Sequence, residues 1–342
     1  KNKAQDRSKS RAYRLREAAA ERIGEMEFEA QTQKRNEVLQ FLKRDENTQL
    51  MQRFKSPFGA ISAMLIEDVS KLGGEAGVTG SKLSVEHRTR AIHRQAMSEV
   101  ELGLEKKPGL VKLVESGKID KEFELELEQL TLKEGMPGIS GNAHAKEAAA
   151  IFHPVIDRLF HQKNRAGASA KTLPGYTVRQ EWNGKKVRDL GGKNHSVKGH
   201  KEASFKEFAR LMMAWEVDAE ATYGFRDAET FLRHVHEEFY SENFGRVEHV
   251  RDETGAIVST IDHRPDNGGG SSLANKLSAK RVIHFKNADG RRQAREALGN
   301  NPRLLDALIA QIARDSRSIA LMDKFGPNVE KGFADMYGIG AK

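Results

Sequence analysis

From Arg11 to about Phe54 the chain is built from strong helix formers, interrupted by no proline and by one glycine, Gly24. Its apolar positions there are few: Leu15, Ile23, Met26, Val38, Leu42, Leu50 and Phe54. Such a segment reads as one or two long helices, and a stripe this thin cannot build a core by itself. Residues 1–55 therefore read as a charged helical arm, either docked along a narrow line or serving as a DNA-binding arm.

Charge sharpens that reading. The formal net charge is +8, which favours acidic partners by long-range attraction. The excess is uneven, because Lys1, Lys3, Arg7, Lys9, Arg11, Arg14, Arg16 and Arg22 face only Asp6, Glu17 and Glu21 at the start of the chain. A second basic stretch holds Lys185, Lys186, Lys193, Lys198 and Lys201, and Asp120 to Glu134 is acidic. Candidate nucleic-acid contacts are thus Lys1, Lys3, Arg7, Lys9, Arg11, Arg14, Lys185, Lys186, Lys193 and Lys198, each able to neutralise a phosphate. The same polarity can orient copies of one chain head to tail.

Cysteine is absent, which removes disulfides, thiolate zinc sites and cysteine nucleophiles together. No window approaches the roughly 18 uninterrupted apolar residues of a membrane span, and the first residues carry no apolar signal core. The chain opens on Lys1 and not on Met, as expected of a fragment, a processed product or a portion of a longer protein.

Punctuation divides the rest. Ser56-Pro57 interrupts the arm, a short helix runs from Phe58 to about Leu72, and Gly73–Ser84 is loop-like. Ser84 caps a helix from Arg88 to Leu104, which Pro108-Gly109 stops. Phe123-Glu-Leu125-Glu-Leu127-Glu alternates like a strand, but its acidic neighbours suit a helix, and helix is the expectation. Gly135 to Gly141 is the candidate boundary between a helical region at 56–140 and another at 141–342. Beyond it, Pro154 implies a kink or break in a helix over Asn142–Lys163, and Gly167–Gly199 is a long irregular connection. Phe205, Phe208, Met212, Trp215 and Ala219 mark an amphipathic helix to about Tyr223, and Asp227 caps the next one through Phe239. Val247 to His263 carries one plausible hairpin, Asp266–Ser272 is a flexible loop, and a long final helix starts at Pro302 with Asn300 or Asn301 as cap and stops at Gly326-Pro327. The fold class is mainly α: an elongated multi-helix assembly with long irregular loops and at most one small β-hairpin.

Reaction chemistry finds little support in these residues. His234 and His236 stand two apart on a helix and point to different faces, while His153/His161 and His195/His200 lack chelating spacing, so no metal and no cofactor is expected. Gly73-Gly74 to Gly80 and Gly268–Gly270 are not phosphate-binding loops, and Gly138-Ile-Ser140-Gly141 is not a nucleophile elbow. Glu237/Glu238, beside Phe239 and Tyr240, is where a carboxylate pair would be sought, though adjacent carboxylates on a helix usually just face solvent. Tyr176 and Trp182 could stack on bases, but core burial is the expected fate of Trp182.

Two segments carry a family likeness. One comprises Asn164-Arg-Ala-Gly-Ala-Ser, Leu173-Pro-Gly-Tyr176 and Arg179-Gln180. The other comprises Arg281-Val-Ile-His-Phe-Lys-Asn-Ala-Asp289, Ala313-Arg314-Asp315, Ile319-Ala-Leu-Met322 and Phe325-Gly-Pro-Asn328. Over about residues 145–335 the chain resembles the large internal virion (ejection) proteins of tailed bacteriophages. Where an aromatic residue often follows Asp289 in that family, Gly290-Arg291-Arg292 stands here. Some of those proteins carry a peptidoglycan-cleaving transglycosylase, whose Glu-Ser and Gly-Leu-Met-Gln pattern has no counterpart in this chain. The resemblance implies a non-enzymatic structural component of a DNA-ejection apparatus, self-assembling into a ring or tube. Its location would be the virion interior and then the host envelope or periplasm, and its partners other ejection, portal or tail proteins and genomic DNA. The alternative is a capsid- or portal-associated internal protein contacting packaged DNA.

Overall fold

A computed structural model of the chain describes residues 27–28, 30–49, 51–52, 57–66, 84–132, 134–170, 182–192, 197–218, 222, 228–241, 247–251, 257–262, 273 and 283–340. The fold is mainly α-helical with connecting loops. In chain order the described helices are α1 over residues 30–49, α2 Pro57–Leu65, α3 Val85–Glu105, α4 Pro108–Ser116, α5 Asp120–Thr131 and α6 Ala143–Arg165. They continue with α7 Gly184–Asp189, α8 Val197–Ala214, α9 Ala228–Ser241, α10 Ala288–Leu298, α11 Leu304–Phe325 and α12 Val329–Gly340. Strands β1 Val247–Arg251 and β2 Ile257–Asp262 pair antiparallel, with a register shift at Val250/Arg251, where the hairpin was expected. The turn at 252–256 and the loop at 266–272 lie outside the described residues.

The largest core joins α3, α4, α5, α6 and α11. Ile92, Ala96 and Val100 of α3 meet Phe123 and Leu127 of α5, Phe152, Val155 and Leu159 of α6, and Leu308, Ile312 and Ile319 of α11. Burying each such Leu, Ile or Phe contributes roughly 1.5–3 kcal/mol. Helices on both sides of the 135–141 segment share this core. Glu126 fixes that segment, its carboxylate accepting from the Gly138 amide at 2.5 Å and the Ser140 amide at 2.8 Å. Burial raises the Glu126 pKa, but the Ser140 hydroxyl and the two amides outweigh it and hold the carboxyl below its usual range.

A second core joins α7 to α10. Val187, Phe205, Phe208, Met212, Leu232, Val235, Phe239, Ala294 and Leu298 pack with Ile283 and Phe285 of the segment leading into α10. Trp182 stacks on Phe239 with ring centroids 4.8 Å apart, which is the expected packing role. A smaller cluster of Met51, Ile61, Met64, Val85, Phe325 and Met336 brings the end of the arm, α2 and α12 onto the C-terminal end of α11.

Several local expectations change. Pro154 neither breaks nor splits α6; it lies exposed within one continuous helix. Pro108-Gly109 does end α3, yet it also opens α4, because proline tolerates the first helical turn where its missing N–H has no acceptor to serve. Asn287 caps α10 by accepting from the Gly290 amide at 2.8 Å. α11 starts at Leu304 and not Pro302, and neither Asn300 nor Asn301 caps it; Asp120 of α5 accepts the Leu304 amide at 2.8 Å. The amphipathic helix after the long connection begins earlier and ends at Ala214.

Candidate functional site

α1 is amphipathic in the unusual sense, with its polar side turned inward. Gln40 and Asn47 are only 7% and 3% exposed. The Gln40 amide nitrogen donates to the Phe325 carbonyl at 2.9 Å and its oxygen accepts from the Asn328 amide at 3.0 Å, while Asn47 donates to the Lys324 carbonyl at 2.9 Å. These side chains satisfy backbone groups that α11 leaves open at its end, as any helix must somehow do. Gly326, with φ +85°, permits this approach: a Cβ there would stand 2.5 Å from the Gln40 oxygen. Farther along, Arg35 donates to the Ala168 carbonyl at 2.8 Å and the Gly167 carbonyl at 3.3 Å, fastening α1 to the turn after α6.

The opposite side of α1 carries an open apolar cluster among charged and polar residues. Val38, Phe41 and Leu42 are 59%, 69% and 49% exposed, and Phe28 lies exposed before them. Sequence reasoning counted Val38 and Leu42 as stripe residues but passed over Phe28 and Phe41. The spacing 38, 41, 42 was the available signal, since those positions share one helical face while Gln40 and Asn47 share the other.

The two segments that carry the family likeness meet beside this arm. Lys163, next to Asn164, donates to Asp315 at 3.0 Å in a pair that is almost wholly buried. Asn164 closes the following turn by exchanging hydrogen bonds with Ala170 at 2.9 and 3.1 Å. Gly167, at φ +127°, lies so close to Pro327 that a Cβ would stand 2.6 Å from the proline ring, and Ala168 packs with Met322.

The candidate nucleic-acid contacts are mostly beyond view. Lys1, Lys3, Arg7, Lys9, Arg11, Arg14 and Lys193 lie outside the described residues, as do Tyr176 and His195. Lys198 belongs to α8, its side chain outside the described part. Lys185 is exposed on α7, whereas Lys186 donates to the Gly299 carbonyl at 2.7 Å. Neighbouring cations are also engaged: Arg188 donates to the Tyr240 carbonyl at 3.1 Å and Lys201 pairs with Glu237 at 2.5 Å.

The acidic run 120–134 is not a displayed patch that could pair copies head to tail. Asp120, Glu124 and Glu126 are buried, and Glu124 and Glu128 meet Arg295 and Arg291 of α10 at 2.5 and 2.6 Å. Burial pushes the Asp120 carboxyl up, with the Leu304 amide and the Arg295 charge pulling the other way.

On α9, His234 is exposed and His236 buried, the separation of faces expected from their spacing. His236 Nε2 lies 2.8 Å from the Ser204 oxygen, which donates its single proton to the Val187 carbonyl at 2.6 Å and so accepts from the imidazole. The hydrogen bond from Lys201 holds the Glu237 carboxyl below its ordinary range, the reverse of what a general acid requires. The Glu238 side chain lies outside the described part. Among the described residues no group of three His, Asp or Glu could hold a metal ion, and no helix is long and apolar enough to cross a membrane. No protein-family model, curated protein or solved structure matches the chain.

Proposed function

We propose that this chain is a non-enzymatic structural subunit of a tailed-phage DNA-ejection apparatus, self-assembling into a ring or tube that helps to conduct the genome across the host envelope. The phage half of the reading rests on the resemblance over about residues 145–335. The assembly half rests on one observation: α1 docks through Gln40 and Asn47 and presents Val38, Phe41 and Leu42 outward. A helix that uses its polar face inside has its apolar face available for another molecule, and contiguous exposed apolar surface marks interaction sites. On this reading the protein resides in the virion interior and then in the host envelope or periplasm, beside other ejection, portal or tail proteins and genomic DNA.

Sedimentation velocity over a wide concentration range, in detergent-free buffer, tests the reading. Oligomers that grow with concentration are expected, and Phe41→Glu should shift them toward monomer with helicity unchanged. A chain that stays monomeric at the highest concentration contradicts it.

A further inference from the structure

We infer that the open face of α1 is covered by α1 of a second copy of this chain, packed antiparallel about a two-fold axis between Leu39 and Gln40. The inference rests on the self-assembly reading above and specifies its contact.

The argument starts from spacing. Gln31, Lys34, Val38, Phe41, Asp45 and Thr48 recur at alternating intervals of three and four residues, which sets them along one line of the helix as the seam of a two-helix coiled coil. All but Thr48, which is half-buried, are exposed. The seam has an apolar centre, Val38 and Phe41 with Leu42 at its flank, and one charge of each sign about a turn beyond it: Lys34 on one side and Asp45 on the other.

That arrangement decides direction. In a parallel pair each seam position meets its own copy, so Lys34 would face Lys34 and Asp45 would face Asp45, and like charges in such layers are unfavourable. In an antiparallel pair about the stated axis, Val38 meets Phe41, Lys34 meets Asp45 and Gln31 meets Thr48, each twice by symmetry. The surface is thus self-complementary, as a two-fold contact requires. Among the described residues neither charge has an ion-pair partner, and Asp45 accepts a hydrogen bond from Gln49 at 3.0 Å. The side facing away from this seam is the one fixed to α11 by Gln40 and Asn47, so the seam can be covered without undocking the arm. A contact of a few layers is small, at the weak end of the interface scale, and gives a concentration-dependent pair. Closure into a ring or tube would combine this two-fold contact with a second surface.

The chain has 0 cysteines, so introduced thiols are the sole ones present. Lys34→Cys and Asp45→Cys proteins are prepared separately, then mixed and mildly oxidised at concentrations where sedimentation shows oligomers. The expected product is a disulfide between the two different variants, with little disulfide from either alone. Cross-linking of each variant with itself overturns the antiparallel geometry in favour of a parallel pair. Absence of any cross-link while oligomers persist overturns the α1 contact, assigns its face to another segment or partner, and leaves the assembly reading standing. Absence of oligomers defeats both. A charge reversal provides the second arm: Lys34→Glu should weaken association about tenfold, which is about 1.4 kcal/mol shared by two exposed pairs. Adding Asp45→Lys to it should restore association, and failure of that rescue contradicts the pairing.

Discussion

Arg295 Nη1 stands 2.5 Å from Glu124 Oε2, and the two side chains are 6% and 1% exposed. The pair belongs to a ladder in which Glu124 and Glu128, four residues apart on α5, meet Arg291 and Arg295 on α10, and Asp120, one turn before them, accepts the Leu304 amide within the field of Arg295. The ladder lies where the second core leans on the first, and Arg295 also donates to the Pro302 carbonyl at 3.2 Å, at the entry to α11. Breaking one partner leaves the other charge buried without its nearest counter-charge. Glu124→Ala or Arg295→Ala should therefore cost about 3–5 kcal/mol in denaturant unfolding. The double change Glu124→Leu with Arg295→Met should recover most of that loss, because apolar side chains remove both desolvation penalties. A double variant as unstable as either single one would show that the ladder stabilises the seam by more than mutual neutralisation.

His236 sets a stability slope in acid. Burial, then the Lys201 and Arg233 charges against Glu237 and Glu202, lowers its pKa from 6.5 to about 4. Above 6.5 both folded and unfolded chains carry a neutral ring and the residue adds nothing to pH dependence. As pH falls from 6.5 toward 4 the unfolded chain binds a proton that the folded chain excludes, so stability is lost, on the order of 3 kcal/mol at the lower end. Urea unfolding at stepped pH should show this loss in the natural chain. His236→Gln, which keeps a donor for Ser204, should flatten the slope, and an unchanged slope would place the acid sensitivity elsewhere.

On α11, Ile312 is fully buried, and truncation to Ala should cost roughly 2–5 kcal/mol. Asp315, three residues on, belongs with Lys163 to the buried pair beside the 164–170 turn, so Asp315→Ala should be of comparable severity for a structural reason. Arg314 is half-buried and should be the mildest of the three. Thermal unfolding of the three variants checks the order, and Arg314→Ala as the worst of them would indicate a functional charged face on this helix.

The end of α11 gives a fourth expectation. Gln40→Ala leaves the Phe325 carbonyl and the Asn328 amide without their partner and should cost about 1–3 kcal/mol. Gly326→Ala forces a side chain into the Gln40 amide at positive φ and should exceed the roughly 1 kcal/mol of the backbone alone. Proteolysis within α1 should accelerate in both variants. Resistance unchanged from the natural chain would mean that the arm is held by its other contacts.

How far the fold was legible follows from which forces were local. Helix existence, the Ser84 cap and the hairpin were readable, because propensity, capping and periodicity act within a few residues. The start of α11 was not, since its first amide is satisfied by Asp120, far away in sequence. The alternation around Phe123 belongs to a helix, α5, as expected, but its environment was hidden: Glu124 and Glu126 are interior residues with partners on α10 and the 138–140 turn, so acid did not signal solvent. Within the arm, the described part at 30–49 was readable as a helix but not in its orientation. Nothing local tells that Gln40 and Asn47 serve the α11 end, which is what turns Phe41 outward.

Direct imaging of the purified, concentrated protein by electron microscopy tests the assembly reading most plainly. Closed rings or tubes with an axial lumen, lost in the Phe41→Glu variant, are the predicted result. A field of single-chain particles that Phe41→Glu leaves unchanged would contradict it.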